Sequence, residues 1–148
     1  MATPPRTTTA GTFFITAITH NRRRLFQVDK NAQLLLETLQ HYRTQGLYKL
    51  HAYVVMPDHI HLLITTRNIS EAIRHIKGGF SRRLGSKFPA WQHGFTDHLI
   101  LNPNHFHSRR DYIHQNPARA GLVTNAELYP YSSLVTNAVK TPNLLKTP

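Results

Sequence analysis

Two apolar, β-branched-rich runs, Tyr48 to Val55 and His59 to Thr65, are separated only by Met56-Pro57-Asp58. Proline and aspartate bring turn geometry, and runs of this length suit strands, so the stretch is predicted to form an antiparallel hairpin. A lone hairpin is marginal in water and must bury a face against other elements. The flanking sequence supplies them. Thr12 to Thr19 alternates Phe, Ile and Thr as a strand does and leads into a basic loop, Asn21-Arg22-Arg23-Arg24. From Asp29 to Gln45, Ala32, Leu35, Leu36, Leu39 and Tyr42 recur at helical spacing, with Gly46 as the stop. Ser70 is expected to cap a second helix reaching about Arg83, with Ala72, Ile73, Ile76 and Phe80 inward and Gly78-Gly79 weakening its second half. Trp91 to Leu101 reads as a loop and short strand. Asn104 to Asn116 reads as a third helix ended by Pro117, because proline disfavours helical geometry in the residue before it.

Strand, helix, strand, strand, helix, strand, helix predicts an α+β fold: a ferredoxin-like antiparallel sheet with two crossover helices on one face. The other face is left for a site and a docking helix. The 148 residues allow one core, so one domain is expected over residues 12–134, with a loose leader over 1–11 and a tail over 135–148.

Lys and Arg number 18 against 7 Asp and Glu, a formal charge of +11, which points to polyanions and above all to nucleic acid. The cationic residues do not gather on a long amphipathic helix, as a membrane-surface protein would require. The chain has no cysteine, so thiolate metal sites, disulfides and cysteine nucleophiles are excluded. Phe13 to Ile18 is too short to span a bilayer and lacks the flanks of a secretory signal, and a cytoplasmic location is expected.

His59 and His61 stand two apart in a predicted strand, so they share a face, while Ile60, Leu62 and Ile64 point to the other face and into the core. Imidazoles placed in this way suit one divalent metal with positions left for phosphate oxygens and water; alternatively, the two simply alternate on an exposed strand. Tyr112 and Asn116, four apart, share a helix face. Asn116 could donate an oxygen to the same metal, and Tyr112 could act as a nucleophile if a cation lies close, since a free phenol ionises only near pH 10. Packing on the core is the other reading of Tyr112.

Met56-Pro57-Asp58-His59-Ile60-His61-Leu62-Leu63, followed by Tyr112-Ile113-His114-Gln115-Asn116-Pro117 and Ala118-Arg119-Ala120-Gly121-Leu122-Val123, resembles the signature of REP-associated tyrosine transposases, members of the single-tyrosine HUH superfamily. The likeness extends through Asn21 to Phe26, Ala52 to Val55, Lys77 to Arg83, Trp91-Gln92 with Asp97, and Tyr129 to Ser133. It implies a bacterial, nucleoid-associated nuclease and strand transferase. Such an enzyme recognises palindromic hairpins in single-stranded DNA and cuts near them through a 5′-phosphotyrosine bond with Mg2+ or Mn2+. Carried over by motif, His59 and His61 are metal ligands, Tyr112 is the nucleophile and Asn116 is the third protein ligand, with Gln115 a second candidate. The chain departs from the pattern at Asp58, where asparagine is expected, at His98-Leu99-Ile100-Leu101-Asn102, which lacks an expected arginine, and at Tyr131 in place of tryptophan.

Arg22, Arg23, Arg24, Lys77, Arg82, Arg83, Arg109, Arg110 and Arg119 are candidates for phosphate contacts or simply a solvated surface, and Trp91 and Phe95 are candidates for stacking on unpaired bases, although for either ring alone packing in the core is the favoured reading. Two alternatives share these features: a hairpin-DNA binding protein without catalysis, and a metal-dependent phosphoesterase in which water attacks and Tyr112 is structural. Monomer and dimer are both compatible with the sequence.

Overall fold

The computed structural model describes residues 9–136; residues 1–8 and 137–148, which hold most of the expected leader and tail, lie outside the described residues. Seven principal elements follow one another: β1 (Gly11–Ile18), α1 (Asp29–Thr44), β2 (Lys49–Met56), β3 (His59–Thr66), α2 (Ile69–Leu84), β4 (Thr96–Leu99) and α3 (Pro103–Arg119). The strands form one sheet in the order β2-β3-β1-β4, antiparallel throughout, which is the expected ferredoxin-like arrangement.

Strand pleating divides the core in two. Phe13, Ile15 and Ala17 of β1 and Ile60, Leu62 and Ile64 of β3 project under α1 and α2, joined there by Leu35, Leu39, Ile76 and Phe80. Phe14, Val54 and Leu63 project from the opposite face toward Ile113 of α3. Burying both faces explains why β3 reads as an almost continuous apolar run.

The pairing of β2 with β3 shifts register between Leu50 and Ala52. His51 is the extra residue, and beyond it the sides of β2 are exchanged: Ala52 and Val54 face α3, whereas Tyr53 and Val55 face the crossover helices. The outer edge of β2 is closed by the segment after α3. Ser132 bridges Val54, the Val55 amide donates to the Tyr131 carbonyl at 2.9 Å, and the Tyr53 amide donates to Ser133 Oγ at 2.9 Å.

Two sequence expectations are corrected. Asn68, not Ser70, caps α2: its backbone is extended and its Oδ1 accepts the Glu71 amide at 3.1 Å, while Ser70 already lies inside the first turn. Pro117 does not end α3, which runs on to Arg119. Proline removes only its own amide from the ladder, and the Ala120 amide still reaches the Asn116 carbonyl at 2.9 Å. The expected helix does run on through Gly78-Gly79, which α2 crosses without a break. A Cβ on Gly79 would lie 2.6 Å from the Tyr42 ring and hydroxyl, so glycine is what lets α1 and α2 approach closely.

At Gly78 an added Cβ meets only the far end of Arg82, at 3.2 Å. Gly79→Ala should therefore destabilise the fold by about 1–3 kcal/mol through overpacking. Gly78→Ala should be neutral or stabilising by up to about 1 kcal/mol from helix propensity. Urea unfolding of the two variants side by side checks the contrast.

Candidate active site

His59 opens β3 immediately after the Pro57-Asp58 turn, and His61 follows on the same face. Their ring centroids are 4.7 Å apart. Each imidazole is held from behind. His61 Nδ1 lies 2.9 Å from Thr16 Oγ1, a contact set by the register that places Thr16 opposite His61, and His59 Nδ1 lies 2.7 Å from Asp58 Oδ1. Both contacts engage Nδ1 and leave Nε2 for an incoming ligand, as a metal-binding histidine needs. Burial, aided by the neighbouring His59, pulls the pKa of His61 down to about 3, so its ring is neutral and able to ligate across the physiological range.

No group of three His, Cys, Asp or Glu gathers among the described residues. The histidines stand as a pair, and the other positions around an ion would fall to an amide, water or phosphate oxygens.

Asp58 links the pair to the basic loop. Its second carboxylate oxygen accepts from Arg22 Nη1 at 3.1 Å, and the hydrogen bonds to His59 and Arg22 hold its pKa below the usual carboxylate range against a burial effect of opposite sign. Arg22 is carried by a left-handed backbone, φ 51°, and the loop is fastened to the turn by the Thr19 amide donating to the Asp58 carbonyl at 3.0 Å. The departure at position 58 thus adds a carboxylate that orients a histidine.

Tyr112 reaches this cluster from α3. Its ring centroid lies 5.6 Å from that of His61 and 5.8 Å from that of Phe14, and Phe14 itself stacks on His61 at 5.2 Å. Tyr112 is half-buried, at the margin of the second core and not sunk within it. The phenol and the imidazole pair, 51 residues apart in sequence if counted from His61, are neighbours in space. Asn116, one turn further along, is 8 % exposed, whereas Gln115 is exposed to solvent. His114, between Tyr112 and Asn116 in the chain, shares a 2.8 Å hydrogen bond with Ser133 Oγ and so ties α3 to the segment that closes β2.

The nine basic candidates fall into separate groups. Arg22 lies beside Asp58, whose other oxygen holds His59, and Arg109 and Arg119 lie beside Tyr112, their guanidinium carbons 5.9 and 4.9 Å from its ring centroid. Arg110 sits close to Asp111 at 3.4 Å. Arg23 and Arg24 are on the basic loop, against Phe88 and Gln27. Lys77, Arg82 and Arg83 belong to α2, in the layer behind the sheet: Lys77 donates to the Gln92 and Gly94 carbonyls, Arg82 to Tyr42 and Arg83 to the Gly79 carbonyl. Trp91 is not a platform for bases. It is 9 % exposed, packed with Phe26 and Phe80, and its indole N–H donates to the Lys77 carbonyl at 3.1 Å, while Phe95 packs against the same core.

Sequence reasoning missed Thr16 and Phe14. The available signal was one polar residue in the middle of an apolar strand, but its partner depends on a register that only the folded sheet reveals.

With this geometry in view, the relatives are informative. A family model described as transposase IS200 like matches residues 8–116. The REP-associated tyrosine transposase of Escherichia coli (strain K12) is 30% identical over 127 residues, which cover 83% of this chain and 76% of that protein. The structure of a REP-associated tyrosine transposase bound to a REP hairpin is similar with a TM-score of 0.83 at 27% identity, covering 95% of this chain and 87% of the other.

Two outcomes follow from the histidine environment. Loss of the orienting carboxylate in Asp58→Ala should weaken Mn2+ binding about 10–100-fold, read by calorimetric titration. His61, titrating near 3 when folded and near 6.5 when unfolded, leaves the unfolded chain with the extra proton between those values, so its burial makes stability fall as pH drops from 6.5 toward 3. His61→Gln should flatten that part of the pH dependence of urea unfolding.

Proposed function

The chain belongs to the IS200-like transposases and, among them, to the REP-associated tyrosine transposases, and from this we propose that it cuts and rejoins single-stranded DNA at palindromic, REP-like hairpins. Tyr112 is the nucleophile. The observation that carries the reading is the contact of the Tyr112 ring with His61, at 5.6 Å between centroids, on the sheet face that also bears His59.

Tyr112 attacks the scissile phosphorus through its phenol oxygen. An O–P bond to Tyr112 forms as the P–O3′ bond breaks, the phenol proton leaves to solvent and the departing oxygen takes up a proton, giving a 5′-phosphotyrosine and a free 3′-hydroxyl. The number of phosphodiester bonds is unchanged, so attack by another 3′-hydroxyl reverses the step and joins strands without a nucleotide cofactor. Phe14 and His61 hold the phenol ring at the mouth of the site. His59, His61 and Asn116 would hold a divalent ion, Mg2+ or Mn2+, which when bound supplies Lewis-acid polarisation of the phosphate. The donor set suits it, since both imidazoles keep Nε2 free and His61 stays neutral.

Arg22, Arg23, Arg24 and Arg110 contact the DNA backbone, the cations of α2 lying apart from them in the layer behind the sheet, and affinity should fall steeply with salt. Among the described residues, no helix is long and apolar enough to cross a membrane.

The test is incubation of the full chain with a labelled single-stranded hairpin and Mg2+ or Mn2+, followed by a denaturing gel. Wild type should give a protein-linked band that Tyr112→Phe, which keeps the ring and its packing, does not. Cleaved DNA without a linked band would favour water as the nucleophile, and binding without cleavage would leave a recognition protein.

A further inference from the structure

Tyr112 has company on its helix that the histidine motif does not account for. At about 100° per residue, Arg119, Tyr112, Asn116 and Arg109 fall within an arc of roughly 80° on one flank of α3. Phe106, Ile113 and Pro117 form the neighbouring stripe that docks on the sheet. Arg109 lies one turn before Tyr112 and Arg119 two turns after it, so the two cations bracket the phenol along the helix axis.

Their surroundings differ from those of four other arginines of the chain. Arg22 is paired with Asp58, Arg24 with Gln27, Arg82 with Tyr42 and Arg83 with a backbone carbonyl. Among the described residues, neither Arg109 nor Arg119 is paired with a carboxylate; both rest on aromatic faces, Arg119 on Tyr112 at 4.9 Å and Arg109 on Phe14 at 5.2 Å. The Nε of Arg109 is moreover buried without a hydrogen-bond partner. A desolvated donor without an acceptor is costly, and one retained beside a nucleophile has its natural acceptor in an anionic ligand.

We propose that Arg109 and Arg119 form a clamp on the non-bridging oxygens of the phosphate that Tyr112 attacks and then carries. The inference rests on the reading of Tyr112 as nucleophile and assigns the two arginines a task distinct from general backbone contact. As the phenol oxygen closes on phosphorus and the 3′ oxygen departs, negative charge grows on those oxygens, and donors fixed in place bind this arrangement better than the ground state. The forked guanidinium matches phosphate oxygens in a way a single ammonium does not.

The full chain, R109M, R119M and R119K are compared on one hairpin oligonucleotide by two measurements. Hairpin affinity is taken by anisotropy in EDTA, and the rate of covalent adduct formation is taken under single-turnover conditions in Mn2+ at saturating DNA. The clamp requires each methionine variant to lose about 10–100-fold in the saturating rate with affinity changed by about threefold or less, R119K recovering only part of the loss. Weakened affinity with an unchanged saturating rate would make both residues ordinary backbone contacts and overturn the proposal, as would no change in either. R109M keeps most of the apolar length that packs on Phe14; should it unfold early in a thermal melt, R119M, altered at an exposed position, decides the matter. An absent wild-type adduct, or one that survives Tyr112→Phe, would instead bring down the nucleophile assignment itself, whereas a normal adduct with unaffected arginine variants removes the clamp alone.

Discussion

The pairing of β1 with β3 fixes more of this molecule than any other contact, because it decides what stands behind each histidine. Thr16 lies opposite His61 and Phe14 opposite Leu63, so one strand supplies both the hydrogen bond that orients the buried imidazole and the ring on which it stacks. A slip of one residue would turn every side chain of the strand to the wrong face, sending Ile15 into the site and Thr16 into the core. The large apolar set beneath α1 and α2 opposes that slip. The packing that stabilises the fold and the geometry that arms the site are therefore enforced by the same register, from opposite sides of one sheet.

The tyrosine helix is positioned by other means. α3 makes a narrower apolar contact, centred on Ile113, and its placement is reinforced at its far end by His114 on Ser133 and by the Ser132 bridge to β2. Tyr112 sits at the edge of this contact, where it is held by aromatic neighbours but keeps access to solvent. All the residues of the candidate site, from the basic loop to α3, come from a single chain, with one strand contributing the histidines and the helix contributing the tyrosine.

Much of this was legible in the sequence because it rests on local periodicities. Alternation in β3 announced which of its residues would be core and which would be site, and the strand and helix order was enough for the sheet topology. Motif resemblance then brought Tyr112 to the histidines, which spacing alone could not do. What escaped depended on long-range geometry. The bulge at His51 leaves no mark in composition, yet it exchanges the faces of the rest of β2. Pro117 looked like a terminus because the rule concerning proline is local, while the docking of Ile113 and Asn116 holds the helix together past it. Trp91 had two readings, base stacking and core packing, and the crossover layer that closes around it selects the second. Asp58 was visible as an anomaly, but its meaning came only from the two groups it bridges.

The closure of β2 by Tyr131 to Ser133 has a consequence beyond the placement of α3. A sheet of four strands has two margins at which a foreign strand can add, and here one is occupied by the chain's own backbone. The remaining margin is β4, only four residues long, with Asp97 and His98 in its middle. Short, polar borders of that kind resist strand-by-strand growth. Both margins of the sheet are thus guarded, so copies of the chain can meet side by side without zipping into fibres.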